Sequence, residues 1–409
     1  MKVLIDQQFH LGHHYQYLAH LLPALTQMVP EVVVAITAAG RASTEFSSFL
    51  TEFTQHVTFM PVLPEASPGV PLNERWRVHQ DLREVVRRVR PDYVLIPSGD
   101  AQSTLMAPFH LSGLGSVPGR IPCEIGIHFG LGAAATSPKA RLKDKAIQMN
   151  LALSGARRVH VVNFLFYEAA ASSPLWRQRF NLMPHPVPDN PRLSKSESRR
   201  LLGLPEAGRY IGLAASIDSR KAIREFLEAF RAATTRADDR LLLAGFVNPT
   251  HMRTIDESFG DLIRADRLFV RNGFVSNETY QTVLTALDVV CTPYPVFAGL
   301  SSTLLEGLAA GRPVLANKAG WCEAVVDRFG VGWTCDVLDH ADFTRAVREA
   351  LDGSGAYVET EKARRLLAFH SPQNFASTWC NGIGQALGAA PSTVRSWTWA
   401  CQSLETEMN

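Results

Sequence analysis

The 409-residue sequence has no apolar run approaching the length of a membrane span. Its start, MKVLID, meets an acidic residue after a few apolar ones, which reads as a buried first strand and not a signal peptide. A net charge of only +2 argues against a general nucleic-acid binder. There is no C-x-x-C pair. Cys123, Cys291, Cys322, Cys335, Cys380 and Cys401 are scattered and read as reduced cytoplasmic thiols filling apolar space. Neither a short-period repeat nor a low-complexity tract is visible. What is present, 46% hydrophobic and 20% charged residues, fits a soluble globular chain too long for one ordinary core, so two domains are expected.

Strand-like and helix-like segments alternate through the first half. Short apolar or β-branched segments at 2–6, 31–37, 91–97, 121–129 and 158–163 read as strands. Segments 15–28, 73–90, 101–112 and 140–153 read as helices. This alternation predicts a parallel sheet with helices on both faces. Residues 183–191 (MPHPVPDNP) break the rhythm, because prolines this dense sustain neither a helix nor a central strand. They read as an interdomain linker. The alternation restarts with strands at 210–215, 240–244, 268–271, 288–292 and 314–317 and helices at 221–233, 256–263 and 277–287, and further helices close the chain. The expected fold is α/β. Two doubly wound Rossmann-like domains, 1–186 and 187–388, face across a cleft, and a C-terminal helix in 389–409 packs back on the first. Ligands of such sheets sit beyond the carboxyl ends of the strands.

The most informative stretch is 296–316 (VFAGLSSTLLEGLAAGRPVLA). A small-residue loop ends in Ser301, Ser302 and Thr303, and an apolar helix follows with Glu306 in its first turn. Gly311 stops that helix, Pro313 blocks its return, and a strand begins at once. The free N–H groups and positive dipole end of such a helix suit a phosphate. A carboxylate one turn in suits a diol beside it, and phosphate plus diol is what a nucleoside diphosphate presents. Thr303-x-x-Glu306 equally fits a capping box, in which Glu306 bonds back to the cap's own N–H.

Four pieces stand in order around it: 211–230 (IGLAASIDSRKAIREFLEAF), 241–245 (LLLAG), 268–275 (LFVRNGFV) with 286–293 (ALDVVCTP), and 296–316 with 319–326 (AGWCEAVV). Together they resemble the GT-B glycosyltransferases, specifically the large retaining branch with an E-x7-E motif. The resemblance is strongest over 210–336. It implies transfer of a sugar from a nucleotide-sugar to an acceptor, with retention by same-face attack in which the leaving phosphate takes the proton. It implies no metal and no cofactor. Lys221 becomes the best candidate cation for the β-phosphate, where negative charge grows in the transition state, with Arg220 beside it. Ser216, Gly273, Phe274, Val275, Ala298, Gly299, Leu300, Ser301, Ser302, Thr303 and Glu306 become the remaining donor-site candidates, with 272–275 as a wall for the base. In the first domain, His128 at the end of 121–128 (IPCEIGIH) corresponds to a histidine near the sugar, and is a candidate catalytic residue with Lys221. Gly12 and His13, in 6–14 (DQQFHLGHH), are candidates for acceptor or phosphate contact.

The chain also departs from that family. Ala298 stands eight residues before Glu306, where the first glutamate of E-x7-E belongs. Ser216 replaces an arginine after the first strand, and Ala222 a glycine after the lysine. These departures keep a nucleotide-binding pseudoenzyme or scaffold open as an alternative, and a GT-B sugar epimerase as a third reading. A metal reading of His10, His13 and His14 is demoted, because adjacent histidines seldom face one ion. Residues 130–135 (GLGAAA) mimic a dinucleotide fingerprint without its acidic partner. The arginines of 73–90 allow peripheral contact with the inner face of a membrane, although a solvated face is the usual meaning of such a helix. The expected partners are a nucleotide-sugar and an unidentified acceptor, with peripheral membrane contact left open and no nucleic acid, and the expected place is the cytoplasm or the inner face of a membrane.

Overall fold

In a computed structural model, which describes residues 1–10, 12–64, 75–103, 105–128, 138–175, 177–188, 193–234, 236–295, 299–389, 394, 395, 397 and 400, the alternation folds into two compact units. One comprises Met1–Pro186 with Phe369–Asn409, the other Val187–Ala368.

The first unit holds seven parallel strands: β1 (Lys2–Asp6), β2 (Glu31–Thr37), β3 (Thr58–Leu63), β4 (Tyr93–Ile96), β5 (Cys123–Ile127), β6 (Arg158–Val161) and β7 (Phe180–Leu182). Their order is β3-β2-β1-β4-β5-β6-β7. β2, β4 and β5 are apolar and buried almost throughout, as strands covered on both faces must be. The order reverses between β1 and β4, so their carboxyl ends form the unit's switch point. The sequence does not announce β3, which contains Pro61, or the three-residue β7. Both are edge strands, where a proline costs no ladder bond on the open side.

The second unit repeats the plan with β8 (Arg209–Ala214), β9 (Asp239–Gly245), β10 (Leu268–Asn272), β11 (Val289–Thr292), β12 (Val314–Asn317) and β13 (Gly332–Cys335), ordered β10-β9-β8-β11-β12-β13 and all parallel. Here the switch point lies between β8 and β11. The helix Ile223–Ala233 seats Phe226, Leu227 and Phe230 in the core, and Phe226 stacks on Phe343 of the helix His340–Gly353 at 5.6 Å. That packing fixes where the helix begins, and so where Lys221 stands.

Residues 369–388, which the sequence reading placed in the second domain, group with the first unit. The helix Pro372–Ala386 buries Phe375, Trp379 and Ile383 there. Phe375 meets Tyr17 at 5.2 Å and Trp379 meets His160 at 4.3 Å. Beneath the helix, Glu124 accepts hydrogen bonds from Tyr93 Oη and His160 Nε2, both at 2.8 Å, with all the charge buried. Gly382 is required at this crossing, since a Cβ would lie 1.7 Å from Glu124 Oε1. Further on, Trp397 meets Phe164 at 5.2 Å and donates to Glu168 Oε1 at 3.0 Å, while most of the expected terminal helix lies outside the described residues. The five described cysteines are buried free thiols.

Candidate functional site

At the switch point of the second unit, β8 runs into Ala215 and Ser216, and β11 into Pro293, Tyr294 and Pro295. The two loops are tied together: Ala222 N–H donates to Pro293 O at 2.9 Å. Lys221 is therefore held in a turn just before the helix Ile223–Ala233, and it is 6% exposed. Its ammonium lies 5.2 Å from the centroid of the Tyr294 ring and 3.8 Å from Asp218 Oδ1. Burial lowers its pKa to about 8, against the opposing pull of Asp218. Burial also pushes Asp218 upward, but hydrogen bonds from Arg220, with the charges of Lys221 and Arg220, outweigh it and hold the carboxyl at about 2. Arg220 itself is largely exposed and committed to Asp218 through bonds of 2.7 and 3.0 Å.

Tyr294 connects this cation to the helix Ser302–Ala309. Its hydroxyl shares hydrogen bonds with Ser301 and Thr303, and burial pushes its pKa up to about 12. Ser301 caps the helix, its Oγ accepting the Leu304 N–H at 3.3 Å. Thr303 Oγ1 accepts from Tyr280 Oη at 3.3 Å and donates to Ala214 O at the end of β8, 3.2 Å away.

This cap corrects the sequence reading of Glu306. Extended Ser301 starts the helix two residues before Thr303, so Thr303 is not the cap, and no acidic residue lies in the first turn. Glu306 sits one turn deeper, 3% exposed, where its Oε2 accepts from Gln281 Nε2 at 3.4 Å and its charge, after burial, helps push the Tyr280 phenol upward. The capping box is therefore absent. A carboxylate committed to neighbouring side chains behind the cap takes its place.

The other candidates of this unit fall around the same strand ends. Gly299 is buried, Leu300 and Ser302 are half-buried, and Ser216 is exposed. Ala298 lies outside the described residues. Gly273, at φ +138, ends β10 and presents exposed Phe274 and half-buried Val275. A second rim aromatic, exposed Phe246, follows Gly245 at the end of the neighbouring β9. Gly245 has φ +129, and a Cβ there would stand 2.0 Å from Ala215 O, so only glycine fits beside the β8 loop.

In the first unit His128 follows β5 directly. Its N–H is shared by the two Asp100 oxygens at 3.1 and 3.2 Å, and Nε2 meets Pro97 O at 2.7 Å. A carbonyl accepts only, so Nε2 carries a proton, which leaves Nδ1 as the acceptor nitrogen of the uncharged form. His14 Nδ1 pairs with Ser98 Oγ at 2.7 Å, and burial, then the nearby His128, lowers the His14 pKa to about 3. Gly12 takes φ +77, and the exposed His13 ring stacks on Tyr17 at 6.2 Å. Tyr17 in turn meets His128 at 5.3 Å. Buried Asp6, at the end of β1, accepts from Gln102 Nε2 at 2.9 Å, and burial, then Asp81, raises its pKa to about 7.

Sequence reasoning named Lys221, the Ser301 to Thr303 run and Glu306, and missed Tyr294, Asp218, Tyr280, Gln281 and Asp100. For Tyr294 a signal existed, since two flanking prolines mark a loop at the carboxyl end of a predicted strand. Among the described residues no group of three or more His, Cys, Asp or Glu could hold a metal, and no helix is long and apolar enough to cross a membrane.

Residues 208–353 match the family described as glycosyl transferases group 1. The chain is 27% identical over 194 residues, 44% of its length and 46% of the relative's, to a 2-deoxystreptamine glucosyltransferase of Streptomyces kanamyceticus. It is 26% identical over 244 residues, 58% of its length and 55% of the relative's, to a 2-deoxystreptamine N-acetyl-D-glucosaminyltransferase of Streptomyces fradiae. The chain thus spans about half the length of the curated relatives it matches. The crystal structure of HepE from Anabaena in complex with UDP superposes with a TM-score of 0.63 at 15% identity, covering 94% of this chain and all of HepE. The chain has the GT-B architecture of two parallel-sheet Rossmann-like units, and its match to the group 1 glycosyl transferases falls within the second of them.

Proposed function

We propose that the protein is a glycosyltransferase that takes a sugar from a nucleotide-sugar, with uridine diphosphate as the leaving group, and passes it to a hydroxyl-rich acceptor. One observation carries this reading: a buried ammonium, Lys221, and a capped helix start, Ser301 to Thr303, share a single connecting side chain, and a buried carboxylate lies one turn behind them. Fixed positive charge and first-turn N–H groups are what a departing diphosphate needs, because its negative charge grows as the glycosidic bond breaks. Glu306 accepts the ribose diol, and Phe274 with its neighbours walls the base. The UDP held by HepE supports this choice of nucleotide.

The acceptor is assigned to the carboxyl ends of β1, β4 and β5, where His128 offers the Nδ1 lone pair to a sugar or acceptor hydroxyl. The two relatives act on 2-deoxystreptamine by their names, so an aminocyclitol is the first acceptor class to try. The resemblance implies retention. Proton transfer from the attacking hydroxyl to the leaving phosphate oxygen balances that step without a further base.

The decisive experiment incubates the protein with a panel of UDP-sugars and aminocyclitol or sugar acceptors and follows UDP release and product by mass spectrometry. Acceptor-dependent transfer supports the reading, and the anomeric coupling of the product reports retention or inversion. Ala298 and Ser216 favour a rival, the non-catalytic nucleotide-binding scaffold, which predicts UDP binding with no turnover of any donor. Turnover of a donor without acceptor points to the epimerase instead. Membrane contact is assigned to the helix Arg75–Val89, whose Arg77, Arg87 and Arg88 accompany exposed Trp76. Failure to co-sediment with anionic liposomes removes that assignment.

A further inference from the structure

Tyr294 belongs to no motif, and it is the residue through which the two halves of the phosphate subsite meet. It is 9% exposed and sits between Pro293, whose carbonyl accepts the Ala222 N–H, and Pro295. Its own N–H donates to Thr292 O at 2.9 Å, closing a tight turn over Pro293 at the end of β11. One face of its ring lies under the Lys221 ammonium. Its hydroxyl reaches the two residues, Ser301 and Thr303, that begin the helix Ser302–Ala309.

We propose that Tyr294 is a positioning residue of the diphosphate subsite, setting the spacing between the Lys221 cation and the helix start through its ring and its hydroxyl separately. The proposal rests on the nucleotide-sugar reading above. An ammonium over an aromatic face is attracted to the ring and still presents its full charge to a ligand, whereas a carboxylate in direct contact offsets that charge. The charged and titratable groups facing Lys221 are Asp218 and Arg220 from its own turn and Tyr294 from the β11 loop. Asp218 is already drawn to Arg220 by the shorter bonds, so the ring is the contact that leaves the ammonium available to an incoming phosphate. The hydroxyl acts on the other half. It joins Ser301 and Thr303 and so fixes the first-turn N–H groups relative to the ring.

The two effects separate in a double-mutant cycle with uridine diphosphate as the probe, read by calorimetry. Tyr294→Phe keeps the ring and is expected to weaken binding about fivefold. Tyr294→Leu removes both contributions and is expected to weaken it about fiftyfold. In a Lys221→Met background the ring has nothing left to position, so Tyr294→Phe and Tyr294→Leu should then cost the same, about fivefold. A Tyr294→Leu penalty equal in both backgrounds, or no larger than that of Tyr294→Phe, overturns the proposal and leaves a packing role. Thermal unfolding checks that Tyr294→Leu folds. Should it not, Tyr294→Phe decides, and binding like the parent overturns the assignment of the hydroxyl. If Lys221→Met alone binds like the parent, the phosphate subsite itself is misplaced, and the proposal falls with it for a reason the cycle identifies.

Discussion

The Lys221 ammonium ends 5.2 Å from the centre of the Tyr294 ring, and the residue is only 6% exposed although its neighbour Arg220 faces solvent. A lysine so placed retains its charge with little water around it. A diphosphate that replaces that water gains a charge-assisted bond worth about 1.5–3 kcal/mol. Lys221→Ala should therefore weaken uridine diphosphate binding by about one to two orders of magnitude, measured by calorimetry at pH 7.

The same burial makes binding depend on pH. With its pKa at about 8, Lys221 is charged below that pH and loses its proton above it. Affinity for uridine diphosphate should be flat from pH 6.5 to 7.5 and fall by up to about tenfold per pH unit above 8. Stability moves the other way. Between pH 8 and 10.5 the unfolded chain binds the lysine proton and the folded chain does not, so this residue's contribution rises with pH, by roughly 3 kcal/mol in all. Lys221→Met should remove both dependences, and denaturant unfolding across that window reads the second.

Asp6 gives the opposite stability profile. Its folded pKa of about 7 lies above the unfolded value near 3.8, so the folded state holds the proton between those limits. Its contribution is least destabilising below pH 4 and worsens as pH rises to 7, by roughly 4 kcal/mol in total. Asp6→Asn should raise the unfolding midpoint at pH 8 and change it little at pH 4, and differential scanning calorimetry at the two pH values checks this.

Gly245 tests the backbone rather than a charge. Gly245→Ala should destabilise the second unit by about 2 kcal/mol or more, because the new Cβ meets the Ala215 carbonyl while φ stays at +129. Urea unfolding measures the loss. The β8 loop that carries Ser216 is the element displaced, so affinity for uridine diphosphate should fall as well.

Much of this was legible in the sequence for a local reason. The β8 to β12 strands are continuous apolar runs, and the Ser301 to Glu306 stretch carries its own cap, helix and stop within a short span. The first-unit strands β1, β2, β4 and β5 were equally plain. What the sequence hid depends on distant partners. Tyr294 reaches Lys221 only because β8 and β11 pair in parallel, and Asp100 reaches His128 only across the β4 and β5 ends. The cap at Ser301 instead of Thr303 depended on the backbone angle at one loop residue, which three successive hydroxyl side chains cannot disclose. The edge strands β3, β7 and β13 were missed because a proline in β3, a glycine in β13 and the three-residue length of β7 leave none of the continuous apolar runs that mark the central strands. The helix Pro372–Ala386 looked like one more helix of the second unit until its Trp379 found His160 in the first.

Glu306 marks the ribose side of the proposed site. Because it lies behind the cap and is committed to Gln281, Glu306→Gln should weaken uridine diphosphate about tenfold or more and leave inorganic pyrophosphate binding unchanged. Parallel calorimetric titrations of the two ligands separate the diol contact from a general loss of fold.

The account stands or falls on a single calorimetric comparison: uridine diphosphate titrated into the parent protein, Lys221→Ala and Glu306→Ala under one set of conditions. It predicts that the parent binds and that each variant loses about tenfold or more in affinity while its unfolding midpoint stays within a few degrees. Both variants binding with the parent's affinity would contradict it.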